Sequence, residues 1–456
     1  MISNFLYAGT AKVNITPSYG SLINGEFNTR YVTDIYQDIF VRTIILSNSF
    51  QQIVFVVVDT CAMRREFLDD VKDAIFCDTG INNGSVLISS THIHTGGAAC
   101  SILLGHADEG YRVMLKNKIL ESVRLALNQL QPVSIGYGSI EVPDFLLIRR
   151  YRMKEHYVSR SPVDGKIDEI KTNPIGDESY IDCSNGQPDT QLSYLIIRDQ
   201  QHKIKAVLAN YNLHYVGDFT PGMIAGDYFA AFEESLLDRV SCTNDFVGVM
   251  TNGTSGDVNI WDFLGANSFP EGIGEKSKWI GASLAKKLSE NLKEVRWENR
   301  VDLNVFYEEI EVSTRKPSLE EYNRSKAIFQ QADIGNFRLN AQGLIDLYAR
   351  EQVLLFDFPD LIQFPIQVFR IGQGIIGALG GEFFSKSGVF LKSIQKEYAY
   401  FTICLANDYV GYVPPADDIK MGGYETWRCR TSYLATDAEE KITKALKRLI
   451  EKNCTL

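Results

Sequence analysis

Two apolar, β-branched runs near the start, FVRTIILS and QIVFVVVDT, are separated only by the polar NSFQ, which predicts two paired strands joined by a turn. The next stretch, REFLDDVKDAIFCDTG, changes period. Phe67, Val71 and Ile75 recur at helical spacing and Gly80 marks the stop. SVLISST then returns to a buried strand. Ahead of these elements, AGTAKVNITP reads as a short strand leading into a loop with Gly20 and Gly25. A β-β-α-β opening of this kind predicts a mixed sheet with helices on its faces.

The alternation continues. An amphipathic helix is predicted over 110–131, then a polar stretch at 145–190 that reads as a long excursion over a site rather than core. KAVLANYNLHYVG predicts a strand, YFAAFEESLLDRV a helix, DFVGVMTNGTSGD a strand entering a Gly-rich turn, and SKWIGASLAKKLSENLKEV a further helix. VDLNVFYEEIEVS and IQVFRIGQGIIGALGGE read as strands flanking a charged helical region near 318–357. YAYFTICLAND is the last strong strand and DAEEKITKALKRLIEK the closing helix. The expected class is α/β, with mixed β-sheets flanked by helices. One domain over 1–456 is expected, with a subdomain break near residue 300.

Composition narrows the function classes. The 456 residues are 45% hydrophobic and 23% charged, which is globular composition. A net charge of −11 argues against nucleic acid or an anionic membrane surface as a partner. No stretch reaches membrane-spanning length, and the first eight residues have no basic leader pattern. The eight scattered cysteines form no CxxC pair, which reads as buried free thiols in a reducing, cytoplasmic setting.

The chain has only six histidines, and two stand in LISSTHIHTGG. On an extended strand, His92 and His94 share a face, and at the strand's carboxyl end they project where open α/β sheets bind ligands. Alone, His-x-His fits either a metal or catalytic pair or ordinary satisfied histidines. Three other strand ends add to it: His214 after AVLANYNLH, Glu382 after GIIGALGGE, and Tyr412 in LANDYVGYV. Imidazoles and a carboxylate suit Zn²⁺. Taken singly, Glu382 fits a helix N-cap partner equally well, and Tyr412 a core residue. In TNGTSGDVNIWD, Asp257 reads either as orienting a metal-bound His through its second nitrogen or as part of a plain turn. Asp227 reads as a helix N-cap, and LLIRRYRMK offers Arg149 and Arg150 either to a substrate anion or to solvent.

Taken together, these pieces resemble the neutral/alkaline (non-lysosomal) ceramidase family. The matching segments run in order: AGTAKVNITP, VVVDT, LISSTHIHTGG, LIRRY, NLHYVGDF with AGDY, TNGTSGDVN, LGGEFFSKSG and NDYVGYVPPADDIKMGGYE. By that resemblance His92, His214, Glu382 and Tyr412 fall on zinc ligands, and His94 on a histidine implicated in acid/base work. Tyr424 falls on a tyrosine that stabilises the carbonyl oxygen, and Arg149, or its neighbour Arg150, on its partner arginine. The ceramidases carry a catalytic Ser in a G-D-V-S turn, where this chain has Asn259. They also continue into an immunoglobulin-like domain, which a chain ending at Leu456 is expected to lack.

The expectation is therefore a zinc-dependent hydrolase cleaving an amide, or an ester, of a small-molecule or lipid-like acyl substrate by metal-activated water, with no nucleophilic serine required. Asn259 is expected to add a hydrogen bond to substrate. Two other classes stay open: a metal-binding homologue without turnover, and a metal-dependent phosphoesterase, which ordinarily needs two metals.

Overall fold

The structure is a computed structural model that describes residues 5–265, 268–394 and 399–454. The head at 1–4, part of the stretch read above for a leader, Tyr398 of the last strong strand and the Cys454 side chain lie outside the described residues.

The principal elements run β1 (Tyr7–Asn14), β2 (Phe40–Ser47), β3 (Gln52–Val58), α1 (Arg65–Thr79), β4 (Val86–Ser90), α2 (Glu109–Asn128) and β5 (Gln131–Glu141). There follow β6 (Gln191–Asp199), β7 (Ile204–Tyr211), α3 (Asp227–Leu237), β8 (Cys242–Asn252), α4 (Glu275–Asn291) and β9 (Leu303–Ser313). The rest are α5 (Leu319–Phe329), α6 (Ala341–Leu355), β10 (Leu361–Ile371), β11 (Gly374–Leu379), α7 (Ser385–Ser393), β12 (Ala399–Ile403) and α8 (Ala438–Cys454).

Two mixed sheets result. One has eight strands in the order β8-β7-β6-β5-β1-β2-β3-β4, the other four in the order β9-β10-β11-β12. Neighbours are antiparallel except β3 with β4, β7 with β8, and β11 with β12.

The unbroken apolar run of β3 has a simple cause: both its faces are covered. Ile53, Phe55 and Val57 face the four-stranded sheet, where they join Leu303, Phe369, Ile371, Ile376 and Phe401 in one core. The Phe55 and Phe369 rings meet there at 5.0 Å. Val54, Val56 and Val58 pack on the opposite side with Phe67, Val71 and Ile75 of α1, the same face the sequence spacing predicts. Helix α8 covers the outer face of the second sheet through Ile442, Leu446 and Ile450. The layers are helix, sheet, sheet, helix, the mixed α/β arrangement that the pattern predicts.

Helix α1 ends as read, with Gly80 in the left-handed conformation at its C-cap (φ 75°). The charged region near 318–357 resolves into α5 and α6. Strands β5 and β6 are additions to the sequence reading. QPVSIGYGSIE carries a proline and two glycines, which mask its β signal, and β6 follows directly on the polar stretch 145–190. That stretch folds as a three-stranded sheet (Arg150–Met153, Ile170–Thr172, Ile181–Ser184) and a short hairpin. Among the described residues no helix is long and apolar enough to cross a membrane. The seven cysteines whose side chains are described are all unpaired.

Candidate metal centre

His92 and His214 lie just beyond strands of the first sheet, and Glu382 and Tyr412 lie on a short ladder of their own. His92 follows β4 by two residues, but the extended strand does not continue to it: its φ is 71°. The strand alternation assumed for His92 and His94 therefore does not hold. A left-handed turn presents them, with their rings 5.1 Å apart at 77°. Such a φ costs a non-glycine residue about 1–3 kcal/mol. Bonds from the His92 N–H to the Thr60 carbonyl (3.0 Å) and from its Nδ1 to the Cys61 carbonyl (2.8 Å) hold it.

His214 comes from the other end of the same sheet, three residues past β7. The stretch after β12 ties the two ends together: the Cys404 N–H donates to the Asn252 carbonyl (2.9 Å) and the Ser90 N–H to the Leu405 carbonyl (3.2 Å). Glu382 arrives from the second sheet. Glu382–Phe383 and Tyr412–Val413 form a parallel two-residue ladder in which Glu382 stands opposite Tyr412. Gly411, whose carbonyl accepts the Glu382 N–H at 2.8 Å, has φ 79°, and a Cβ there would overlap the Thr431 backbone. Only glycine fits.

The three side chains meet closely. His92 Nε2 lies 3.3 Å and His214 Nε2 3.7 Å from Glu382 Oε2. Ligands held about 2.0–2.2 Å from a tetrahedral ion sit about 3.3–3.6 Å from one another. Each imidazole is oriented from behind: His92 Nδ1 donates to the Cys61 carbonyl, and His214 Nδ1 to that of Ser255 at 3.1 Å. Both Nε2 lone pairs are thereby left facing Glu382. Glu382 Oε1 accepts from the Tyr409 hydroxyl at 2.9 Å, while Oε2 is buried without a donor. Burial, with Arg149 nearby, pushes His214 well below its ordinary pKa, keeping it neutral. A buried oxygen without a donor facing two imidazole nitrogens is a donor set that fits a divalent cation.

Around this triplet, Arg149 Nη2 donates to the Tyr412 hydroxyl (3.0 Å) and to the Gly256 carbonyl (2.8 Å). Arg149 Nε reaches Glu425 Oε1 at 2.9 Å. Arg150 turns away. It is fully buried, binding Glu425 Oε2 (2.7 Å) and the Gly422 carbonyl (2.9 Å). Of the two arginines, Arg149 faces the site. The Tyr424 ring lies 5.7 Å from that of Tyr412, and burial pushes its hydroxyl well above the usual range, so it stays a proton donor. His94 stacks on Tyr215 at 3.7 Å, with Nδ1 3.3 Å from Glu26 Oε1. Burial works against protonation of this ring, but Cys61 and Glu26 outweigh it and hold its pKa above the ordinary value.

Three candidates are placed elsewhere. Asn259 donates to Asn173 Oδ1 (2.6 Å) and accepts from the Trp261 N–H (3.1 Å), so its amide braces the loop instead of lying open to substrate. Asp257 orients no histidine, since backbone carbonyls do that. Its Oδ1 accepts the N–H and hydroxyl of Ser385 at the start of α7. Asp227 is the first residue of α3, not its N-cap. Its carboxylate accepts the N–H groups of Val216 and Gly217 and so fixes the loop after His214.

The sequence reading missed Tyr409, Tyr215, Cys61 and Glu425. Tyr409 stands in the same LANDYVGYV segment as Tyr412, and Cys61 directly follows a strand end, so position alone could have drawn attention to both.

No family model matches the chain, and no curated protein matches it. Several solved chains do. One is the neutral ceramidase from Pseudomonas aeruginosa, with TM-score 0.70 and 16% identity, covering 97% of this chain and 73% of that one. The fold is neutral ceramidase-like. A ceramidase complexed with C2 aligns similarly, with TM-score 0.69 and 15% identity over 97% of this chain and 74% of the other.

Proposed function

We propose that this protein is a zinc-dependent hydrolase cleaving an amide bond, or less favourably an ester, of a small-molecule or lipid-like acyl substrate. One observation carries the reading: the buried, donor-less Oε2 of Glu382 faces two imidazole nitrogens at 3.3 and 3.7 Å. The ceramidase-like fold supports hydrolysis, and the activity named for its structural neighbours supports an acyl amide.

His92, His214 and Glu382 hold the metal, with Tyr412 as the fourth protein ligand. Two nitrogens with one carboxylate favour zinc over calcium or magnesium, which take oxygen ligands. Zinc supplies Lewis acidity and lowers the pKa of water from about 15.7 to about 7. Burial pushes the Tyr412 hydroxyl well above its ordinary pKa, and Arg149, donating to its oxygen, works against that push. His94 accepts and returns a proton at the ring nitrogen turned away from Glu26, a contribution of about 10²–10⁴-fold. Tyr424 donates its hydroxyl proton to the acyl oxygen, worth about 2.7–4 kcal/mol for one such donor.

The test is metal analysis of protein purified without added zinc, with chromogenic acyl amides, acyl esters and short-chain ceramide as substrates. About one zinc per chain is expected. His92→Ala and Glu382→Ala lose it, whereas His94→Ala keeps it and loses about 10²–10⁴-fold in turnover. Unchanged metal content in the first two variants overturns the ligand assignment.

A further inference from the structure

His92 has a second neighbour. Cys61 Sγ lies 3.8 Å from His92 Nδ1, and Cys61, His92 and His94 each offer a ligand atom within 4.8 Å of those of the other two. For a metal–sulfur bond of about 2.3 Å and a metal–nitrogen bond of about 2.0–2.1 Å, a tetrahedral ion sets sulfur and nitrogen about 3.5 Å apart. Cys61 and His92 are buried, whereas the His94 side chain keeps 12% of its surface exposed, which gives this cluster a side open to solvent.

We propose that Cys61, His94 and His92 form a second, thiol-containing cation position, selective for thiophilic ions, that excludes zinc from the first by taking His92. This rests on the reading of His92 as a ligand of the first position.

Exclusion follows because an imidazole that holds a cation through one nitrogen keeps its proton on the other. With the proton on Nδ1, His92 donates to the Cys61 carbonyl at 2.8 Å and its Nε2 lone pair faces the Glu382 side. With the proton on Nε2, it donates to Glu382 Oε2 at 3.3 Å, which otherwise lacks a donor, and its Nδ1 lone pair is free for an ion that takes the place of the hydrogen bond to the Cys61 carbonyl, with the thiol 3.8 Å away. Each arrangement satisfies the nitrogen the other leaves free, so one cation per chain is held, at one position or the other. A soft thiolate ligand decides which ions prefer the second position: Cd²⁺ or Cu⁺, not Mg²⁺ or Ca²⁺. On binding, Cys61 gives its thiol proton to solvent and bonds the ion as thiolate. The ion at the first position dissociates.

The probe is Cd²⁺ added to the zinc-loaded protein, read by cadmium–thiolate ultraviolet absorption and by analysis of both metals after gel filtration. The expected result is a band saturating at one cadmium per chain, with one zinc lost for each cadmium held. Cys61→Ala abolishes the band and keeps its zinc. His94→Ala, a second variant that leaves the thiol in place, weakens cadmium binding tenfold or more. Glu382→Ala still gives the band. No band in the wild type, a band that survives Cys61→Ala, or cadmium and zinc held together on one chain overturns the proposal. Zinc retained by Glu382→Ala counts instead against the first position and the function built on it.

Discussion

Lys72 offers a direct measure of how the site's backbone is anchored. It lies on α1 and is buried, donating from Nζ to Asn407 Oδ1 at 2.8 Å, a neutral amide rather than a carboxylate. Asn407 ends the stretch that ties the two strand ends together, exchanging bonds with Ile88 of β4 and donating to Gln367. Burial pushes the Lys72 ammonium down from 10.5 to about 8. The sign follows from proton counting. Below pH 8 both folded and unfolded chains hold the proton, and the folded one carries the cost of a buried cation. Between about 8 and 10.5 the folded chain releases the proton and the unfolded chain keeps it, so stability rises with pH across that window. At about 1.36 kcal/mol per pH unit the whole gap is worth about 3 kcal/mol, of which about 2 is realised by pH 9.5. Lys72→Met removes the charge and keeps the chain length, and it also forfeits a hydrogen bond worth about 1 kcal/mol. Urea denaturation should find the variant more stable than wild type by about 1–2 kcal/mol at pH 7, with that advantage gone at pH 9.5. Comparing the two proteins at each pH cancels every other titrating group. A stability difference that stays constant from pH 7 to 9.5 would refute the reasoning.

Two further substitutions test the site. Glu425 is buried between Arg149 and Arg150, at 2.9 and 2.7 Å, so Glu425→Gln leaves two buried guanidiniums without their shared carboxylate. A loss of about 3–5 kcal/mol in denaturant stability is expected, and a loss below about 1 would show that the backbone carbonyls suffice. Gly25 has φ 112°, and a Cβ there would lie 2.5 Å from His94 Cγ, so Gly25→Ala should displace the His94 ring. Turnover then falls while zinc content holds, and unchanged turnover on the best chromogenic amide would argue against a proton-transfer role for that ring.

How much was legible before the fold depended on where each signal resides. The mixed α/β class was open to reading because burial writes itself into side chains, as in the uniformly apolar β3, but the sequence reading placed helices on its faces and did not foresee that one face meets a second sheet. Strand β5 hid because its register is set largely by main-chain pairing with β6 across nine rungs, and that pairing tolerates Gly136 and Gly138. In the site, the residue types with metal chemistry could be picked from strand ends. The groups that aim them could not, because the Cys61 and Ser255 carbonyls belong to the backbone and leave no trace in residue identity. For the same reason the sequence suggested Asp257 as the orienting group, a carboxylate being the only kind of partner it can display.

The choice between Arg149 and Arg150 turns on similar physics. Adjacent residues of an extended run point to opposite faces, so one of the pair had to leave the site, but alternation alone cannot say which. The deciding contact is Glu425, which takes one guanidinium on each carboxylate oxygen and so lies between the side bearing Tyr412 and the interior. Arg149 stays on the site side because its Nη2 also has the Tyr412 hydroxyl and the Gly256 carbonyl within reach, whereas Arg150 finds the carbonyl of Gly422. One carboxylate thus fixes which arginine serves Tyr412, and it also joins the loop bearing Tyr424 to the stretch bearing Arg149. A substitution at Glu425 should therefore affect metal retention and turnover together, which a purely structural ion pair remote from the site would not do.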